Sequence, residues 1–241
     1  MLNILVSFAA SALTSALMLR FVTGNVWISM TVSLVVFVAL FMLITRVVMK
    51  KVGVLMQTVQ HDVMANRTEK AIKDLQAGMK YGPWQMFVKQ QIYSQIGTIY
   101  YIKRQFKEAL PYLEKGFVRN WVSQSMLAIT YMKKNKTKKM IDAFDKAVSG
   151  NRKEPMVYAV YAFCLERVGN RSKAIEVLKK GLAKTSKDER LQENLEQLEA
   201  GKKMNMKSYG DMWYQFHLEK QGAIIKKQTK AMTGRRKQVL R

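Results

Sequence analysis

The chain has 241 residues, with 41 Lys and Arg against 17 Asp and Glu, giving a formal net charge of +24. One cysteine, Cys164, excludes an intramolecular disulfide and a cysteine-cluster zinc site. A glycine-rich phosphate loop, Gly-x-Ser-x-Gly and His-Glu-x-x-His are all missing, and the two histidines, His61 and His217, have no third partner in sequence, so the chain is read as a non-enzyme with no catalytic residue, cofactor or metal.

Taken in chain order, residues 2–19 carry no charge and are mostly aliphatic, and 26–45 repeat that character. Each stretch is about long enough to cross a hydrocarbon core of roughly 30 Å as helix. They predict a two-span helical hairpin joined through Arg20, Gly24 and Asn25, with Trp27 as an interfacial anchor. The first stretch lacks the basic n-region and cleavage site of a signal peptide, so it is expected to stay. Ser7, Ser11 and Ser15, with Ala12 and Ala16, place small residues at four-residue spacing, suited to close packing against another helix in lipid; the second span is the simplest partner. Arg46, Lys50 and Lys51 follow the second span, whereas the hairpin loop offers only Arg20, which places the bulk of the protein in the cytoplasm.

Between Arg46 and Asn66 there is no proline, and Gly53 is a weak breaker, so the second span is expected to run on as one rod through Leu55, Val59 and Val63. Beyond it comes a recurring pattern. Tyr93, Ile96, Gly97 and Tyr100 precede Phe106, Ala109, Leu113 and Gly116; Leu127, Ala128, Tyr131, Met140, Phe144 and Ala147 repeat the series; Tyr158, Tyr161, Ala162, Leu165, Gly169, Ala174, Leu178 and Gly181 repeat it again. Upstream, Ala71, Leu75, Gly78 and Pro83 fit the second half of another copy. Small residues at these intervals let antiparallel helices touch while the bulky ones fill the hollows between them.

Over residues 52–185 this pattern resembles the tetratricopeptide (TPR) family of helix-pair repeats. Together with the apolar runs and the C-terminal composition, the resemblance gives an all-α chain: a transmembrane hairpin (1–49), a continuation helix with a partial repeat (50–89), a short α-solenoid (90–185), a capping helix (186–201), and an aromatic helix with a basic tail (202–241). In the capping helix Leu191, Leu195 and Leu198 share one face and acids occupy the rest. Residues 209–225 are read as a helix with Met212, Trp213 and Phe216 on one side, followed by a tail containing Arg235, Arg236 and Lys237.

The first helix of each TPR pair lines a concave groove. The resemblance thereby implies a partner-binding surface of Gln91, Ser94, Thr98 and Tyr101, then Ser125, Ile129, Met132 and Lys133, then Met156, Ala159, Phe163 and Arg167. Such a groove suits a protein or peptide with apolar anchors and an acidic group for Lys133 and Arg167. Groove positions that hold Lys and Asn in the family's carboxylate-clamp subclass hold Ser, Thr and Met here. The groove's other expected occupant is the chain's own Met212, Trp213 and Phe216 segment, because apolar patches rarely stay uncovered.

The first 49 residues contribute only Arg20 and Arg46 and no acid, so +22 of the +24 lies beyond them. Anionic membrane lipid is an expected contact for the basic tail, since each basic residue near an anionic surface contributes about 1 kcal/mol. The layout is similar to two-span TPR proteins of the bacterial inner membrane. It implies an integral membrane adaptor or scaffold with a cytoplasmic C-terminal domain. The alternative is a membrane-tethered protein contacting RNA or the ribosome.

Overall fold

The computed structural model describes residues 1–22, 24–186 and 188–219, whose regular structure is all helical with no strand among them. They divide into two compact units. The first comprises Met1–Ile99 with Lys115–Phe117, the second Tyr100–Glu114 and the chain from Val118 onward.

In the first unit, α1 (Leu2–Leu17) ends in a π-helical turn at Met18–Val22, and α2 runs unbroken over Val26–Met64. Asn25 starts α2 by accepting a hydrogen bond from the Trp27 amide at 3.0 Å. Both helices are long and apolar enough to cross a membrane, the first counted over Leu2–Val22. Two serines of the α1 stripe, Ser11 and Ser15, bond inside this hairpin, while Ser7 is buried with its hydroxyl unpartnered among the described residues. Ser11 Oγ donates to the Ser33 carbonyl (2.8 Å), Ser29 Oγ donates to the Ser15 carbonyl (3.0 Å), and the Ser15 and Ser29 hydroxyls lie 3.1 Å apart. Small side chains permit this approach, and the Ser11 and Ser29 hydroxyls find acceptors on the facing backbone.

Where the hairpin ends, Asn3 Nδ2 donates to Gln85 Oε1 (2.8 Å) and Thr45 Oγ1 (3.3 Å), and the Leu2 amide donates to the Pro83 carbonyl (2.8 Å). The turn after α3 is thereby tied to α1, and Asn3 in turn links α1 to α2 through Thr45.

At 39 residues α2 is about 58 Å long, roughly twice the thickness of a hydrocarbon core. The continuous rod expected from the sequence is therefore present as helix. Its distal half packs against α3 (Thr68–Gly78): Val52 and Val59 are buried, and Gly78 leaves room for the Leu55 side chain. Asn66, at φ 59°, ends the rod, and Asp62 secures the corner by pairing with Lys70 (2.9 Å) and Arg67 (3.3 Å). The Lys70 hydrogen bond holds the Asp62 carboxyl below its ordinary pKa. Helix α4 (Val88–Ile102) brings Ile92 and Ile96 onto the same core.

The second unit is a series of helix pairs. After α5 (Phe106–Glu114) come α6 (Trp121–Lys133) with α7 (Thr137–Gly150), and α8 (Pro155–Arg167) with α9 (Arg171–Leu182). Asn120, Glu154 and Asn170 cap α6, α8 and α9 by accepting backbone amides. Gly169, at φ 85°, supplies the left-handed turn between α8 and α9. Phe144 stacks on Tyr161 with ring centroids 4.7 Å apart, so the aromatic positions of successive pairs meet.

Helix α10 (Glu189–Glu199), capped by Asp188, buries Leu191, Leu195 and Leu198 and turns its acids outward. The expected helix over 209–225 is corrected. Helical turns cover only Lys207–Tyr209 and α11 (Asp211–Tyr214), separated by Gly210 at φ 62°, and His217 at φ 49° reverses the chain again. The reversal lets Trp213, Phe216 and Leu218 all turn inward, which one straight helix would not allow; Met212 stays exposed. Residues 220–225 of that expectation, and the tail residues Arg235, Arg236 and Lys237, lie outside the described residues.

Candidate functional site

The groove residues expected from the sequence fall in two places. Gln91, Ser94 and Thr98 belong to the first unit, where Ser94 is buried and its Oγ accepts from the Phe117 amide at 2.7 Å. Tyr101 and the other eight belong to the second. There Tyr101, Ser125, Ile129, Met156 and Ala159 are buried, Met132 and Phe163 are half-buried, and Lys133 and Arg167 are exposed.

What covers this floor is the chain's own segment after α10. Met204, Met206, Tyr209, Trp213, Phe216 and Leu218 all belong to one buried core with Tyr101, Ile129, Met156 and Ala159. We call residues 202–219 the strap. Trp213 meets Phe163 edge-on at 4.7 Å, and Phe216 lies 6.2 Å from Trp121.

Polar contacts fix the strap along its length. At its start, Arg171 donates to the Leu198 and Lys202 carbonyls, and Asn194 accepts from the Asn205 amide at 2.6 Å. At its end, Tyr101 Oη donates to the Phe216 carbonyl (2.6 Å), and Arg167 Nη1 donates to the Leu218 carbonyl (2.7 Å). His217 Nε2 lies 3.0 Å from the Ile102 carbonyl, which can only accept, so Nε2 carries the proton. Backbone carbonyls of an irregular segment need donors once they leave water, and groove side chains supply them.

Beside the strap's end is a cavity of about 280 Å³ lined by Met132, Lys133, Asn135, Arg167, Val168 and His217. Its titratable groups are Lys133, Arg167 and His217, with no acid among them. The Lys133 ammonium sits 3.7 Å above the Phe106 ring, and its pKa is lowered to about 8 by partial desolvation, then by Arg104 and Arg167. Burial lowers the His217 pKa, with Arg104 and Lys133 adding to the effect, so the neutral ring is favoured. No carboxylate pairs with Lys133 among the described residues, and positions 220–241 contain no Asp or Glu. The arrangement offers an open basic rim beside an apolar floor already occupied by the strap.

Sequence reasoning missed Arg104, Trp121 and Leu218. Arg104 belongs to no groove position of a repeat helix; it holds φ 64° at the turn after α4. Leu218 joins the floor only because His217 reverses the chain, and the reversal has no motif.

Among the described residues, the remaining ionisable groups do not assemble into a reactive set. Cys164 is buried, and burial pushes its thiol well up. A second cavity of about 480 Å³ between α7, α8 and α9 mixes Asp145 and Glu176 with Arg152, Lys173, Lys180 and Lys184, so its lining carries more positive than negative charge. Among the described residues, no three His, Cys, Asp or Glu side chains could share a metal ion. No protein-family model matches the chain, and no curated protein matches it in sequence.

Proposed function

We propose that the protein is a membrane-anchored TPR-type adaptor. The hairpin of α1 and α2 spans a bacterial inner membrane, and the repeats lie on its cytoplasmic face, where the groove and basic rim of the second unit recruit a protein partner. The reading is one of binding and scaffolding, not catalysis. Its main support is the unbroken helix Val26–Met64, whose proximal half is apolar and exposed and whose distal half packs against α3. A rod continuous with a span would hold the first repeat at a set angle to the bilayer, with no flexible tether.

Positive charge supports the orientation, since Arg46, Lys50 and Lys51 follow the span directly. The partner's chemistry follows from the site: apolar anchors to replace Trp213 and Phe216 on the floor, and an acidic group for Lys133, Arg104 and Arg167. In this reading the strap guards the groove until that partner competes for it.

The net charge of +24 also favours a second reading, in which the basic surface holds RNA or a ribosome at the membrane. Affinity capture from detergent extract, with and without nuclease and at two salt concentrations, separates the two. The adaptor reading expects a discrete protein to survive nuclease and raised salt, and to be recovered better when Trp213→Ala weakens the strap. Recovery that vanishes with nuclease would instead favour the RNA reading, since phosphate contacts weaken steeply with salt.

A further inference from the structure

In the first unit, the turn after α3 leaves a cavity of about 390 Å³ against α2, lined by Leu43, Ile44, Val47, Val48, Lys51, Tyr81 and Trp84. The volume falls within the range of about 300–1,000 Å³ usual for small-molecule sites. Its wall is almost wholly apolar, and among the described residues the one charged group that lines it is Lys51.

Position along α2 gives the cavity its meaning. Leu34, Val35, Val38, Met42, Leu43 and Val47 are all exposed on the apolar surface of α2, and Leu43 and Val47 also line the cavity. The cavity therefore opens at the end of the surface that faces hydrocarbon if the hairpin spans a bilayer. Beyond Val48 the helix turns basic with Lys50 and Lys51, and Arg46 lies just before it. Tyr81 and Trp84 are the residue types that settle at the headgroup level. The turn that carries them is fixed to the hairpin by the Asn3–Gln85 and Leu2–Pro83 hydrogen bonds, so the cavity is preformed.

We propose that this cavity is a binding site for one anionic glycerophospholipid of the cytoplasmic leaflet, with an acyl chain between Val47 and Trp84 and its phosphate on Lys51. The inference rests on the membrane reading of the hairpin. A lipid is the occupant because Leu43 and Val47 belong both to the apolar wall and to the exposed apolar surface of α2, and an anionic lipid because the one charged lining group among the described residues is a cation. Both headgroups carry the phosphate, but the trimethylammonium of phosphatidylcholine compensates it, so an ammonium there corresponds to about a fivefold preference for the anionic headgroup.

The test uses the full chain in phosphatidylcholine vesicles in which a minority of the lipid is acyl-brominated phosphatidylglycerol or, in parallel, acyl-brominated phosphatidylcholine. Trp84 quenching is read as the difference between the parent chain and Trp84→Phe. The proposal expects brominated phosphatidylglycerol to quench about fivefold more effectively. Lys51→Gln should bring that ratio to near one, whereas Lys50→Gln, outside the cavity, should leave it close to the parent value. Equal quenching by both lipids in the parent chain overturns the proposal, as does an equal fall in the two lysine variants, which would indicate a general surface field. Extraction of the chain from the vesicles by alkaline carbonate would refute the membrane reading and this site together; a chain that stays but shows no selectivity refutes the site alone.

Discussion

Replacing Trp213 with alanine is expected to destabilise the second unit by about 3–5 kcal/mol, the range for truncating a large buried aromatic. Trp213 is 1% exposed, packs edge-on against Phe163, and donates its Nε1–H to Glu219 at 2.8 Å. Its removal leaves a cavity at the centre of the strap and an unpaired Glu219. The strap around it is irregular chain, and four residues of α11 have no helical stability of their own. Loss of the indole should therefore release the segment and not merely loosen it. Chemical denaturation followed by circular dichroism gives the stability change, and limited proteolysis between 202 and 219 reports the release. Met212→Ala is the control: Met212 lies on the same short helix but is 44% exposed, and it should stay within about 0.5 kcal/mol of the parent. A Trp213→Ala chain as stable and protease-resistant as the parent would mean that the strap does not guard the groove.

Gly181→Ala should destabilise the same unit by about 1–3 kcal/mol, although alanine is the better helix former. A Cβ at position 181 would lie 2.8 Å from Tyr158 Cγ and 2.9 Å from Tyr158 Cβ. Those atoms are the root of a fully buried ring whose hydroxyl is anchored on the Arg152 carbonyl at 2.9 Å. The ring cannot swing aside, so α8 and α9 must separate, and packing loss outweighs the propensity gain of about 1 kcal/mol. Gly53→Ala in α2 should have the opposite sign, because nothing lies within 4 Å of the added methyl and only propensity changes. Thermal unfolding of the two variants decides the matter; two shifts of the same sign would contradict the account.

The helices were legible because their signals are local or periodic. The uncharged runs, the proline-free stretch through Val63, the Gly169–Asn170 turn and the leucines of α10 each fix an element through residues a few positions apart. The strap was legible only in part. Trp213 and Phe216 stood out as apolar residues in a basic stretch, but the helix expected there gives way at Gly210 and His217. Its path is set by hydrogen bonds to Tyr101 and Arg167, 115 and 51 residues distant, and a distant donor leaves no periodicity to read. The basic rim was half legible: Lys133 and Arg167 followed from groove positions, while Arg104 enters from a turn. The apolar cavity beside Trp84 was not legible at all, because it arises where α2 passes a turn some forty residues downstream.

The central claim, a spanning hairpin with the repeats in the cytoplasm, is tested most directly by cysteine accessibility in right-side-out membrane vesicles. The native Cys164 is buried and its thiol is held protonated, so it gives little background. Gly24→Cys probes the hairpin loop, with nothing within 4 Å of the added side chain, and Lys138→Cys probes an exposed site on α7. The account predicts that a membrane-impermeant maleimide labels position 24 in intact vesicles and position 138 only after permeabilisation. Labelling of position 138 in intact vesicles, or protection of position 24 until they are opened, would contradict it.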